Sequence, residues 1–140
     1  MAQDITKKVS QMNSTLDKIE ALAKGYADTL REKYRRRIAD LLGGLDTETD
    51  SERIETEIAI LAEKADINEE ITRLRSHTDQ VLSHLQSGKP VGRRLEFLAQ
   101  EIGREANTIG AKSCLAEITH LVVDIKSDLE KIRELTSNVE

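Results

Sequence analysis

Residues 5–30, ITKKVSQMNSTLDKIEALAKGYADTL, place an apolar side chain at alternating steps of four and three residues. The positions are Ile5, Val9, Met12, Leu16, Ile19, Ala23, Tyr26 and Leu30. A seam with this spacing is typical of a helix that packs lengthwise against another helix. The seam continues through Tyr34 and Ile38 as far as Gly43 and Gly44. Because paired glycines commonly end a helix, the pattern predicts one long first helix over residues 1–42.

The rest of the chain repeats this helical spacing and has no strand pattern. Residues 51–87 are predicted to form a second helix, broken near Asp66, because the apolar face slips by two residues there and Asp66 and Glu69 stand at capping positions. Residues 91–140 are predicted to form helices 3 and 4, with a weaker break at 107–110. The expected fold is therefore all-α, an elongated helical hairpin or bundle in which the coiled-coil-like first and last helices pair or drive oligomerisation.

Composition limits the classes of function. The chain has 140 residues, of which 2% are aromatic, and a net charge of −5. One helical domain fits this length, and the acidity argues against a general nucleic-acid coat protein. Residues 1–42 and 71–112 each carry a net charge of +3 and residues 43–70 carry −8, so an anionic partner is expected at the basic segments. One cysteine, no long apolar run and no signal-peptide core predict a cytoplasmic protein.

Helix 3 has polar and aromatic side chains where a solvated face needs only charges. On a helical wheel, the side opposite Leu95, Leu98 and Ile102 carries Arg93, Phe97, Gln100, Arg104 and Thr108. Glu101 and Asn107 lie on its flanks. Glu101 and Glu105 are four residues apart, so their carboxylates can converge on one cation. A contact with another subunit or a solvated face is the more common explanation of such a pattern. A chemical site is the alternative.

The second helix contains another polar cluster. Glu70, Arg73, His77 and His84 fall on one side of the wheel, beside the apolar seam. Glu70 and His77 form a plausible acid–base or ligand pair, because histidine titrates near neutral pH. Ordinary surface ion pairs, each worth about 0.2–0.5 kcal/mol, are again the more common explanation.

The stretches at 65–70, 91–97 and 100–108, together with Arg73, His77 and the terminal residues 137–140, resemble the C-terminal part of the YicC family of endoribonucleases. The resemblance covers most of residues 50–140 and departs from the family pattern at Gly103 and Ala111. It implies metal-dependent cleavage of RNA phosphodiester bonds, with manganese or magnesium as cofactor, and ring-like oligomers. Members of the family are about twice as long, so an N-terminal domain is expected to be missing here.

The motif positions of this family coincide with the two polar clusters, so the clusters become one expected site. Cleavage of a phosphodiester by a metal ion needs hard oxygen ligands, an activated nucleophile and cations near the phosphate. The predicted catalytic residues are Glu70, His77, Glu101 and Glu105, and the predicted metal ligands are Glu101, Glu105 and Glu96. The predicted RNA-binding residues are Arg73, Arg93, Arg94, Phe97, Gln100, Arg104 and Asn107.

A second hypothesis comes from a different class of function. The heptad seams of helices 1 and 4 favour a helical assembly module that forms homo-oligomers and has little activity without the N-terminal domain. The net acidity and the small number of aromatic residues that could stack on bases favour this alternative for the chain by itself.

Overall fold

The computed structural model describes residues 2–43, 51–89, 92–113 and 115–137, and all regular secondary structure in these ranges is α-helical. The helices are α1 (Ala2–Ala23), α2 (Tyr26–Leu42), α3 (Ser51–Lys64), α4 (Asn68–Gln86), α5 (Gly92–Lys112) and α6 (Ala116–Ser137). The all-α class predicted from the sequence is confirmed.

Four of the helices, α1, α4, α5 and α6, form a bundle. Helix α4 packs on α5, α5 on α6, α6 on α1, and α1 on α4, so the contacts run around a closed ring of four helices. The predicted pairing of the first and last helices is confirmed by the contact between α1 and α6. We refer to these four helices as the bundle.

The core of the bundle is built by the seams that the sequence displays. In α1, the first five seam residues, Ile5 to Ile19, are fully buried. They meet Leu95, Leu98 and Ile102 of α5, and the buried isoleucine, valine and leucine side chains of α4 and α6, in one continuous cluster. Full burial of each such side chain stabilises the fold by about 1.5–3 kcal/mol, so this cluster is the main source of stability.

Polar contacts fix the register of α1 against α4. Arg75 Nη2 lies 2.7 Å from a carboxylate oxygen of Asp17 and 3.1 Å from one of Glu20. The hydroxyl of Thr78, which is fully buried, lies 3.0 Å from the side-chain oxygen of Asn13 and 2.8 Å from the backbone carbonyl oxygen of Arg75. A buried hydroxyl needs such a partner, because leaving it without a hydrogen bond costs about 1–3 kcal/mol.

The other two helices, α2 and α3, pack mainly on each other and form what we call the arm. Its small core contains Leu30, Ile58 and Ala62. Arg35 joins the two helices through a bidentate ion pair with Glu55, with both N–O distances at 2.8 Å. The arm therefore has few buried side chains. Its ion pair is exposed, and an exposed ion pair stabilises a fold less than apolar burial does.

One long helix over residues 1–42 is not what the structure shows, and this prediction is wrong. Helix α1 ends at Ala23 and α2 begins at Tyr26. Between them Gly25 has a φ of 83°, in the left-handed region. Glycine adopts that conformation at little cost, and it is a common way to end a helix. The apolar seam continues in phase across the break, so seam spacing alone does not reveal it.

The break predicted inside residues 51–87 is confirmed, since α3 ends at Lys64 and α4 begins at Asn68. The Asp66 carboxylate accepts a hydrogen bond from the Asn68 backbone N–H at 2.9 Å. The predicted capping box is not formed, because Ile67 occupies the N-cap position, without a side-chain cap.

The other predicted helix ends and breaks agree with the structure only in part. Gly43 ends α2 as expected, with a φ of 56°, while Gly44 lies outside the described residues. Helix α4 ends at Gln86, close to the predicted end at residue 87. The weaker break predicted at 107–110 is wrong, because α5 continues unbroken to Lys112.

Candidate functional site

Helices α4 and α5 run antiparallel and bring the two predicted polar clusters together. Three side-chain contacts join them: Lys112 to Glu70, Arg73 to Glu105, and Arg94 to His84. These contacts pair the start of α4 with the end of α5 and the end of α4 with the start of α5. The polar residues that the sequence places on two separate helices therefore lie along one surface, which we call the α4–α5 face.

Arg73 is the centre of the ionic network on this face. Its Nε donates to Glu105 Oε1 at 3.0 Å, and its Nη1 donates to Glu69 Oε1 at 2.8 Å. Glu70 Oε1 lies 3.7 Å from Nη2 of the same guanidinium. The hydrogen bond with Glu105 raises the pKa of Arg73 above its ordinary value. The planar fork of an arginine can hold several oxygens in fixed directions, so this network orders both helices locally.

Glu70 is a buried acid with a lysine partner. Its side chain is 2% exposed, and Oε1 accepts a hydrogen bond from Lys112 Nζ at 2.6 Å. Burial acts to raise the pKa of this carboxyl, but the hydrogen bond from Lys112 and the charges of Lys112 and Arg73 outweigh burial and hold the pKa below its ordinary value. Glu70 is thus charged and bound to α5, and its predicted catalytic role stays a prediction.

His77 lies at the middle of the α4–α5 face. His77 lies four residues after Arg73 in α4, and Glu101 lies four residues before Glu105, the partner of Arg73, in α5. His77 also lies seven residues before His84, and Glu101 lies seven residues after Arg94, the partner of His84. Both contacts therefore place His77 level with Glu101 across the antiparallel pair.

Glu101 is partly exposed, whereas His77 and the neighbouring Glu70 each have a buried polar atom without a partner. Glu101 keeps 24% of its side chain exposed, and its carboxylate lies 3.5 Å from Arg104 Nη1. Across the part of the chain that the structure describes, two buried side-chain atoms lack a hydrogen-bond partner, His77 Nδ1 and Glu70 Oε2. A buried polar atom without a partner is uncommon in folded proteins, and its causes include strain, a bound water or ion, and a role in catalysis.

The outer face of α5 presents the remaining predicted residues to solvent. Arg93, Arg94, Phe97, Gln100, Arg104 and Asn107 are all exposed. This confirms the predicted separation between the polar face of the helix and its buried aliphatic face. Arg94 lies with its guanidinium carbon 5.8 Å from the centroid of the Phe97 ring, a distance at which a cation and an aromatic face attract one another.

The three predicted metal ligands do not lie together. Glu105 is paired with Arg73 of α4, and Glu101 lies one turn away on the same flank. Glu96 instead lines a groove of about 310 Å³ on α5 and α6, together with Gln100 and Arg133. Within ranges 2–43, 51–89, 92–113 and 115–137, no group of three or more His, Cys, Asp or Glu residues could hold a metal ion.

The ionic network includes two residues, Glu69 and Lys112, that were not among the predicted site residues. Lys112 lies seven residues after Glu105, two turns along the same flank of α5, and that spacing was the available signal. Glu69 lies four residues before Arg73, a standard spacing for a helical ion pair. The contact of Lys112 with Glu70 depends on the register between α4 and α5, whereas the Glu69–Arg73 pair lies within α4.

The fold and this face define an all-helical domain with arginines, carboxylates and a histidine on one antiparallel helix pair. Residues 19–140 match the family model described as "Endoribonuclease YicC-like, C-terminal". The chain belongs to this family.

Two relatives support the assignment and define its extent. The chain is 40% identical over 140 residues to the "Probable endoribonuclease YicC" of Clostridioides difficile (strain 630), a match that covers 100% of the chain and 47% of that protein. It is 33% identical over 136 residues to the "Probable endoribonuclease YicC" of Haemophilus influenzae, which covers 97% of the chain and 46% of that protein. The chain thus spans about half the length of these relatives.

None of the described helices is both long enough and apolar enough to span a membrane.

Proposed function

We propose that the chain is the C-terminal part of an endoribonuclease and that its α4–α5 face contacts the RNA at the cleaved bond. The observation behind this proposal is the register of the two helices, which brings His77, Glu101 and the Arg73 network to one surface. Its family and its two named relatives supply the reaction, cleavage of RNA.

Each group on the face has a chemical task in this proposal. Cleavage requires a base that removes a proton from the attacking hydroxyl of water or of the RNA, and positive charge that stabilises the phosphate as it is attacked. His77 is the proposed base, because an imidazole nitrogen can accept a proton and the side chain lies at the middle of this face.

Arginines on the α4–α5 face and on the adjoining outer face of α5 supply the positive charge. Arg93 and Arg104 are exposed on α5, where they can reach phosphate oxygens without first breaking a buried contact. Arg73 is already bound to three carboxylates, so its main proposed task is to hold Glu105 and the two helices in register. Gln100 and Asn107 are exposed amides on α5 that can hydrogen-bond a nucleotide.

A divalent metal, manganese or magnesium, remains part of the proposal, with a smaller protein ligand set than the sequence suggested. Glu101 and Glu105 would hold the ion, while Glu96 lines the groove on α5 and α6 and is not included. Hard cations of this kind commonly take one or two carboxylates and complete their coordination with water and substrate phosphates. When bound, the ion would offset negative charge on the phosphate.

The test is cleavage of an end-labelled structured RNA by the chain, alone and joined to the N-terminal part that its relatives have. His77→Ala is expected to lower the cleavage rate by about 10²–10⁴-fold, the usual contribution of a general base. His120→Ala, an exposed histidine on α6, is the matched control and should keep the full rate. Equal rates for the two variants would contradict the assignment of His77.

The same assay separates the metal from the base. Chelator and the double change Glu101→Gln and Glu105→Gln should each abolish the manganese- or magnesium-dependent cleavage. If the double variant responds to metal as the wild type does, these two glutamates are not the ligands.

Exposed apolar side chains on the arm support the alternative of an assembly module. Leu41 is 81% exposed and Ile60 is 41% exposed, so each leaves apolar surface on the arm that the chain itself does not cover. The seams of α1 and α6 are already buried against each other inside the chain. An oligomer would therefore use other surfaces than the seams that the sequence suggested, and the oligomer itself stays a prediction.

A further inference from the structure

Phe97 is the one phenylalanine of the chain, and 51% of it is exposed. Its neighbours on the helix surface are charged or polar: Arg93 and Arg94 one turn before it, Gln100 and Glu101 one turn after it. An exposed phenylalanine forgoes part of the stabilisation that full burial would provide. Its position among cations and amides points to a ligand that has both an apolar plane and negative charge.

Arg94 is held beside the ring from two sides. Its guanidinium carbon lies 5.8 Å from the ring centroid, and its Nε donates a hydrogen bond to His84 Nε2 at 3.4 Å. The contact with α4 fixes the arginine at the side of the ring. About half of Phe97 is left accessible, so a flat group can still stack on it.

We propose that Phe97 stacks on an unpaired nucleobase of the RNA while Arg93 and Arg104 contact the phosphates on either side of it. This inference rests on the proposed function, and it specifies the RNA as single-stranded at the point of contact. Arg93 and Arg104 are about 16 Å apart along the helix axis, with Phe97 between them. Cations that flank an aromatic plane match the alternation of phosphate and base along a single strand.

A duplex does not match this surface, because its bases are stacked inside and present only phosphates to the arginines. Phe97 would then have no partner. An apolar protein surface matches poorly as well, since the ring has charged or amide neighbours along the helix rather than further apolar ones. The unpaired base uses both the ring and the charges.

The test is binding of a labelled single-stranded RNA of about twelve nucleotides, within the range of single-strand binding sites, and of the same RNA annealed to its complement. Phe97→Ala and Phe97→Leu should weaken single-strand binding by about five- to a hundredfold, the effect of losing one stacked base. Phe97→Trp should retain binding. Val123→Ala, which changes another exposed apolar residue, is the matched control and should bind like the wild type.

The results that would contradict the inference differ in what they imply for the proposed function. If Phe97→Leu binds the single strand as tightly as the wild type does, stacking is wrong while the proposed function stands. The same conclusion follows if this variant loses as much affinity for the duplex as for the single strand. If the wild-type chain binds neither RNA, the inference and the proposed function both fail. If Phe97→Ala changes the mass of the particle in sedimentation and leaves RNA binding unaltered, Phe97 contacts another copy of the chain, and the inference is wrong.

Discussion

The bundle and the arm are built from the same kind of sequence but differ in how well their apolar residues are covered. In α1, five consecutive seam residues from Ile5 to Ile19 are fully buried by three other helices. In α2, where the same seam continues, Leu30 is buried but Tyr34 and Ile38 are only half-buried. A seam in the sequence thus reports which face is apolar, and the number of helices around it decides how much stability follows.

The difference has a functional counterpart. The α4–α5 face lies on the well-packed bundle, where Arg73, Lys112 and their carboxylates are held in place by buried side chains beneath them. The basic run at Arg35, Arg36 and Arg37 lies on the arm, and there Arg35 is occupied by Glu55 and Glu32. Rigid elements position reactive groups better than lightly packed ones, which is why we place the chemistry on the bundle.

The largest expected effect concerns stability. Ile102→Ala in the bundle should lower the free energy of unfolding by about 2–5 kcal/mol, because it leaves a cavity in a fully packed core. Ile38→Ala in the arm should cost at most about 1 kcal/mol, because that side chain is only half-buried. Chemical denaturation of both variants measures the contrast. Equal losses would mean that the arm is packed as tightly as the bundle.

A smaller effect is expected for Lys112→Met, which removes the partner of the buried Glu70 carboxylate. Leaving that group without its hydrogen bond should cost about 1–3 kcal/mol of unfolding free energy at neutral pH. Lys126→Met, a change of an exposed lysine on α6, should cost almost nothing and is the matched control. A Lys112→Met variant as stable as this control would show that the ion pair does not stabilise the α4–α5 face.

The same variant has a pH signature. Because the pKa of Glu70 is lowered in the folded protein, its contribution to stability is complete above its ordinary pKa of 4.5 and is lost as the pH falls through the lowered value. In the wild type this loss begins below about pH 4.5. The stability difference between wild type and Lys112→Met should therefore shrink in acid, as denaturation at a series of pH values would show. A constant difference would indicate another cause.

Much of the fold could be predicted from periodicity, because burial in a helical bundle follows the apolar face. The seam from Ile5 to Ile19 in α1 and the aliphatic face of Leu95, Leu98 and Ile102 in α5 predicted buried residues correctly. The break at Gly25 could not be predicted in this way, since the seam keeps its phase across it. The continuity of α5 through Asn107 was not predicted, because residues 107–110 include weak helix formers. Packing against neighbouring helices keeps them helical, and helix propensity does not report that packing.

The candidate site was predictable only as two separate faces. Wheels identified the face of Glu70, Arg73 and His77 on one helix and that of Glu101 and Glu105 on the other, but a wheel does not give the register between helices. That register is what pairs Arg73 with Glu105 and Lys112 with Glu70. For the same reason the sequence grouped Glu96 with the metal ligands, although it lines a different groove.

The central claim, that RNA is bound by the α4–α5 face of the bundle, is tested most directly by backbone amide chemical shifts of the labelled chain during titration with a short unpaired RNA. We predict that the largest changes cluster at residues 73–84 and 93–105, with small changes throughout the arm. Changes centred on Arg35, Arg36 and Arg37 in α2, or on α1 and α6, would contradict the account.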